Sequence, residues 1–219
     1  MLIHALLVTH IVVLGYWLGS ELVINSTYRY FSWSAALPFP ERNRLLDHVM
    51  DVDQHVRYAM VLQAGLGTAL GAYLGYFPGG ETLAICAGIF AALWLVLVET
   101  THRLRKLPRG RKWILLDMTV RYTLILILIA YALTAAVGET HVPSWLAWKL
   151  ALFAGAIASG LGIRIWLIRL YRSWPRLKAE GSTRELEHEV KYVYVMATAT
   201  LGMLWICIAG ITLLSVFKP

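Results

Sequence analysis

Apolar positions along this chain come in long blocks rather than at short intervals. Six stretches, 2–24, 58–76, 83–98, 114–137, 145–168 and 193–217, carry very little charge. Most approach the roughly 20 residues that take a helix across about 30 Å of hydrocarbon. The stretch 83–98 is the shortest, and Thr82 with 99–101 extends it. Backbone groups inside hydrocarbon must bond to one another, so each block predicts a helix. The expected fold is therefore all-α, a polytopic membrane bundle of six transmembrane helices in a single domain over 1–219. The first block has no basic flank and no small-residue cleavage site, and it carries Glu21, so it reads as a retained span.

Between the first two blocks the pattern changes period. Pro38 and Pro40 precede 41–57, where Leu45, Val49, Val52 and Val56 fall on one helical stripe with polar residues opposite. This predicts an amphipathic helix feeding the second span. Gly67, Gly71 and Gly75 in the second span, and Ala151, Gly155 and Ser159 in the fifth, recur every four residues. Small residues at that spacing let helix backbones approach closely.

The chain has 219 residues, 58% hydrophobic and 15% charged. Soluble chains sit nearer 45–50% apolar and about 25% charged, so a soluble enzyme and a disordered chain are both excluded. The net charge of +7 is explained by where the basic residues lie. Arg29, Arg42, Arg44 and Arg57 follow the first block. Arg103, Arg105, Lys106, Arg109, Arg111 and Lys112 follow the third. Arg164, Arg169, Arg172, Arg176, Lys178, Arg184 and Lys191 gather around the connection after the fifth, leaving only Arg121, Lys149 and Lys218 elsewhere. Positive charge marks the cytoplasmic side, which places both termini outside and 41–57 in the cytoplasm. The expected location is a multi-pass protein of the inner membrane, touching anionic lipid through its basic rim and binding no nucleic acid. Cys86 and Cys207 fall within apolar blocks and read as small buried hydrophobes.

Ionisable side chains inside spans are costly and point to function. His10, Leu14, Trp17 and Glu21 share one face of the first helix, with His10 near mid-depth. Its imidazole suits a haem ligand, a proton relay, or a ring bonded to a neighbouring carbonyl. Lys149 lies one turn into the fifth span, either snorkelling to the interface or serving as cation for a carboxylate. At the basic end, His48, Asp51 and His55 stand at i, i+3 and i+7, and Glu99 with His102 forms Glu-x-x-His. Such spacings build metal sites in helical bundles, so Fe, Mn or Zn held by these five is one reading. The other is an interfacial belt of salt bridges, with Asp117 and Arg121 as one i, i+4 pair. No His-Glu-x-x-His, phosphate-binding glycine loop or serine elbow occurs.

The stretch LLVTHIVVLGYWLGSELVINSTYRYF resembles the first helix of the HemJ-type protoporphyrinogen oxidases and CopD-like membrane proteins, where a His precedes a Trp and small residues. HVRYAMVLQAGLGTALGAYLG is similar to their second helix, and WLAWKLALFAGAIASGLGIRI to their Trp-x-x-x-Lys-Leu helix. HEVKYVYVMATATLGMLWICIAG stands where the HemJ type opens its last helix with Asn-Glu-Val-Pro. The resemblance implies a helical bundle that binds b-type haem or oxidises a porphyrinogen. Electrons would pass to a quinone or another membrane redox partner, in a homo- or hetero-oligomer. It implies His10 as haem ligand and Lys149 as the cation for a propionate, with Trp17, Glu21 and Lys149 as the catalytic set. His4, His141 and Met203 stay open as the second ligand. A non-haem metal enzyme, and a structural or transport subunit of a membrane complex, are the alternatives. Matching halves with broken spans, the mark of an inverted-repeat transporter, are lacking.

Overall fold

The computed structural model describes residues 1–105, 107–138 and 142–218. They form six α-helices, α1 (Leu2–Trp33), α2 (Phe39–Tyr73), α3 (Gly80–Leu104), α4 (Gly110–Ala136), α5 (Ser144–Glu180) and α6 (Arg184–Phe217). No strand occurs among the described residues. Five helices, all but α2, are long and apolar enough to cross a membrane. The chain is an all-α protein with the make-up of a multi-pass membrane protein.

The amphipathic segment 41–57 and the block that follows it are not separate elements. They are one helix of 35 residues. Nothing between them interrupts a helix, since 51–62 contains neither Gly nor Pro. Pro40 sits in the first turn, where its missing N–H has no partner to lose.

Helices α1, α2, α5 and α6 have 32, 35, 37 and 34 residues. At 1.5 Å per residue each is about 50 Å long, about 20 Å more than the hydrocarbon core. Helices α3 and α4, with 25 and 27 residues, lack this excess. All four long helices project beyond the short pair at the basic end, where they pack a second small core around Phe31, Leu170, Leu186, Val190 and Val193. Arg42 is buried there with Glu187, Nη1 donating to Oε1 at 2.5 Å and Nη2 to Oε2 at 3.2 Å. Ser182 Oγ also donates to Glu187 Oε1 at 2.8 Å. The Arg42 guanidinium lies 5.7 Å from the Trp174 ring centre.

Each helix packs against its neighbours in sequence, α6 closes back on α1, and α2 touches α5 across the interior. The result is a ring of six helices. Small residues set its seams. A Cβ on Gly65 would lie 2.6 Å from Ala91 Cβ, so α2 and α3 meet backbone to backbone. Gly155 faces Cys207 of α6. The predicted stripe on α2 divides its work: Gly67 makes room for the His10 ring and Gly71 for the Phe77 ring. Gly75 lies past the helix end at φ 76°, a conformation suited to glycine.

Candidate functional site

Trp17 and Glu21 point into the ring from α1, 3% and 4% exposed, and the indole N–H donates to Glu21 Oε1 at 3.3 Å. Their four-residue spacing puts both on one face, as the sequence predicts. From α2, Asp53 and Arg57 reach the same space, paired at 2.6 Å. From α4 come Asp117 and Arg121, whose Nε donates to Asp117 Oδ2 at 2.9 Å. Trp94 donates to the other Asp117 oxygen at 3.0 Å. Arg121 Nη1 lies 3.2 Å from Met60 Sδ, while its Nη2 is buried without a partner. Arg164 enters from α5. Glu21, Asp53, Arg57, Arg121 and Arg164 line one cavity of about 80 Å³, with Met60, Ala156 and Leu204 among its apolar walls.

Two further cavities lie on either side of it along the ring. Toward the basic end a vestibule of about 620 Å³ shares Asp53, Arg57, Arg164 and Leu167 with the central cavity and adds His102, Arg105 and Tyr171. Toward the other end a cavity of about 110 Å³ is lined by His10, Gln63, Thr68, Lys149 and apolar side chains including Phe153. Its lining begins about one helical turn from the central cavity: Met60 is followed by Gln63 on α2, and Arg121 by Leu124 on α4.

The structure thus brings His10 and Lys149 into one cavity and Trp17 and Glu21 into the next. His10 accepts a hydrogen bond from Gln63 Nε2 through its backbone carbonyl at 2.8 Å, and its ring Nδ1 is buried without a partner. An imidazole so placed suits a haem ligand in isolation, but the surroundings do not fit the group. A cavity of about 110 Å³ is smaller than the ~150 Å³ that holds a benzene, and a macrocycle is several times larger. Of the expected second ligands, His4 is exposed, Met203 is 58% exposed, and His141 lies outside the described residues.

The five residues expected to hold Fe, Mn or Zn separate into different contacts. His55 is hydrogen-bonded to Tyr16. Glu99 accepts from Tyr58, and from Arg103 Nε at 2.5 Å. Asp51 lies 3.8 Å from His102 and 3.5 Å from Arg105, and His48 is exposed. Among the described residues no three His, Cys, Asp or Glu side chains gather as a metal site. His48 and His55 stand two turns apart, about 10 Å along the helix, and His55 is engaged by Tyr16.

Asp53, Arg57 and Arg164 line the central cavity and Gln63 the cavity beside it, and none of the four is among the site residues the sequence predicts. Asp117 and Arg121 read there as a plain pair, yet they are 0% and 7% exposed. Their signal was depth: Arg121 lies seven residues inside 114–137, and Arg164 four residues before the end of 145–168.

No family model, curated protein or solved structure matches this chain. Nothing in those comparisons bears on the HemJ and CopD likeness, which rests on the quoted stretches alone.

Proposed function

We propose that this protein is a membrane carrier that admits a small polar solute from its basic end and passes it along the ring. The observation that carries the reading is the succession of three cavities, from the 620 Å³ vestibule through the charged centre to the space beside His10 and Lys149. Charged side chains buried among apolar helices are costly to hold, and they repay that cost by replacing the water a polar solute sheds. In this reading all six helices span an inner membrane, the basic ends face the cytoplasm and the termini face outward. Helix α2 is included because it lies between α1 and α3 and carries Asp53, Arg57 and Gln63 on the interior cavities.

Arg57, Arg105 and Arg164 line the vestibule and draw in carboxylate or other anionic groups. The Asp53–Arg57 pair and Arg164 border both vestibule and centre, so a solute passing inward exchanges partners there. Apolar walls and the small central volume then exclude bulky molecules. The redox reading would need a macrocycle the His10 cavity does not accommodate, and a quinone partner enters only with it.

Purified protein in liposomes loaded with unlabelled solute tests the reading. Radiolabelled glycine, acetate, ethylamine and glycerol are offered outside. Exchange of at least one well above protein-free liposomes is expected. If all four match protein-free liposomes, the carrier reading is wrong.

A further inference from the structure

We infer that the solute is a small zwitterion, an amino acid of about the size of glycine or alanine, with its ammonium on Glu21 and its carboxylate on Arg164 and Arg121. This rests on the carrier reading and narrows it to a substrate class.

The argument starts from which charges in the central cavity already have partners. Asp53 is taken by Arg57 at 2.6 Å, and Asp117 by Arg121 at 2.9 Å and by the Trp94 indole at 3.0 Å. Glu21 is different. Its carboxyl accepts from Trp17 at 3.3 Å, and among the described residues no Lys, Arg or His pairs with it. Arg164 is its complement, a guanidinium with no carboxylate partner among the described residues. Arg121 has one buried nitrogen, Nη2, left without a partner.

These three groups enter one cavity from three walls, α1, α4 and α5. Unpaired charge in a low-dielectric interior is strongly unfavourable. An anion alone would answer Arg164 and leave Glu21 unmatched, and a cation alone would do the reverse. A molecule bearing both charges answers both at once.

Volume narrows the class further. About 80 Å³ is roughly half of the ~150 Å³ that holds a benzene, so the central cavity takes only the few atoms around one charged group, and Arg164, shared with the vestibule, lets the carboxylate end of a small amino acid lie toward that larger space.

The experiment is the same exchange assay with charge-matched probes and variants. In the parent protein, glycine and alanine exchange, and acetate and ethylamine run at least ~10-fold slower. Glu21→Gln and Arg164→Gln each lower alanine affinity by at least ~100-fold, the lower end of what leaving one buried charge unmatched costs. They also part in direction: Glu21→Gln favours acetate over ethylamine, and Arg164→Gln favours ethylamine over acetate. A merely structural role would not produce that crossover. If acetate or ethylamine exchanges as fast as alanine in the parent, the zwitterion assignment is overturned while the carrier stands. If no probe exchanges, both fall. Uptake of leucine at the rate of alanine also overturns the assignment, because the cavity would not be setting the size.

Discussion

Replacing Glu187 by alanine strips the counter-charge from an arginine that has nowhere else to turn. Arg42 is 1% exposed, and both of its terminal nitrogens are committed to Glu187. Its Nε is already buried without a partner, so no spare acceptor waits nearby. Ser182 Oγ loses its acceptor as well. Breaking a buried pair from one side costs about 3–5 kcal/mol. For a chain of this length each kcal/mol moves the melting temperature by about 2–4 °C, so Glu187→Ala is expected to melt roughly 6–20 °C lower. The assay is thermal unfolding in one detergent at one scan rate, with hydrogen exchange to localise the loss to the starts of α2 and α6. Removing both charges, as Arg42→Met with Glu187→Leu, is expected to restore most of the stability, since apolar replacement of a buried pair is often neutral. A Glu187→Ala protein within about 2 °C of the parent would refute the reasoning, because the overhang would then owe nothing to the pair.

Trp94→Phe removes the indole donor from the fully buried Asp117 carboxylate. A hydrogen bond to a charged group is worth about 1.5–3 kcal/mol, so a fall of roughly 3–12 °C is expected in the same assay. Gly65→Ala places a Cβ 2.6 Å from Ala91 Cβ and is expected to cost about 1–3 kcal/mol by overpacking the α2–α3 seam. Gly88→Ala meets nothing within 4 Å, and it should stabilise the helix by up to about 1 kcal/mol, read as a rise in melting temperature. Protein purified from membranes is expected to show no Soret band at one haem per chain. A stoichiometric band abolished by His10→Ala would sink the argument from cavity size and restore the redox reading.

The apolar helices were legible in the sequence because lipid imposes one rule on them: length and absence of charge. The extent of α1, α5 and α6 beyond their apolar blocks was not, since the overhanging turns are held by ordinary soluble-type packing around Phe31 and Leu170. At the site, the shared face of Trp17 and Glu21 followed from helical period alone. The position of His10 and Lys149 within apolar blocks is likewise plain in the sequence. That they line a single cavity is not, because it depends on how α1 and α5 sit around the ring. The surroundings of the His48–Asp51–His55 face did not follow from its period, which aligns side chains in direction without fixing what each one meets: His55 meets Tyr16, and Asp51 meets His102 and Arg105. Asp117 and Arg121 pair as their spacing predicts, while their burial did not follow from it: an i, i+4 pair looks the same in sequence whether its face meets water or Trp94.

Helix α2 falls short of the hydropathy of a span, and its polar side chains are the physical reason. A helix turned toward lipid must be apolar on that face, whereas one turned toward a polar interior gives up hydropathy where it bears Asp53, Arg57 and Gln63. If α2 crosses the membrane, residues just before and just after it lie on opposite sides. Ala36 and Pro78 are both exposed and flank it. With Cys86 and Cys207 changed to serine, Ala36→Cys and Pro78→Cys each offer one thiol to an impermeant reagent. Intact cells are expected to label Pro78→Cys alone, and inverted membrane vesicles Ala36→Cys alone. Labelling of both from the same side would mean that α2 does not cross, and the ring could not enclose a path from one face of the bilayer to the other.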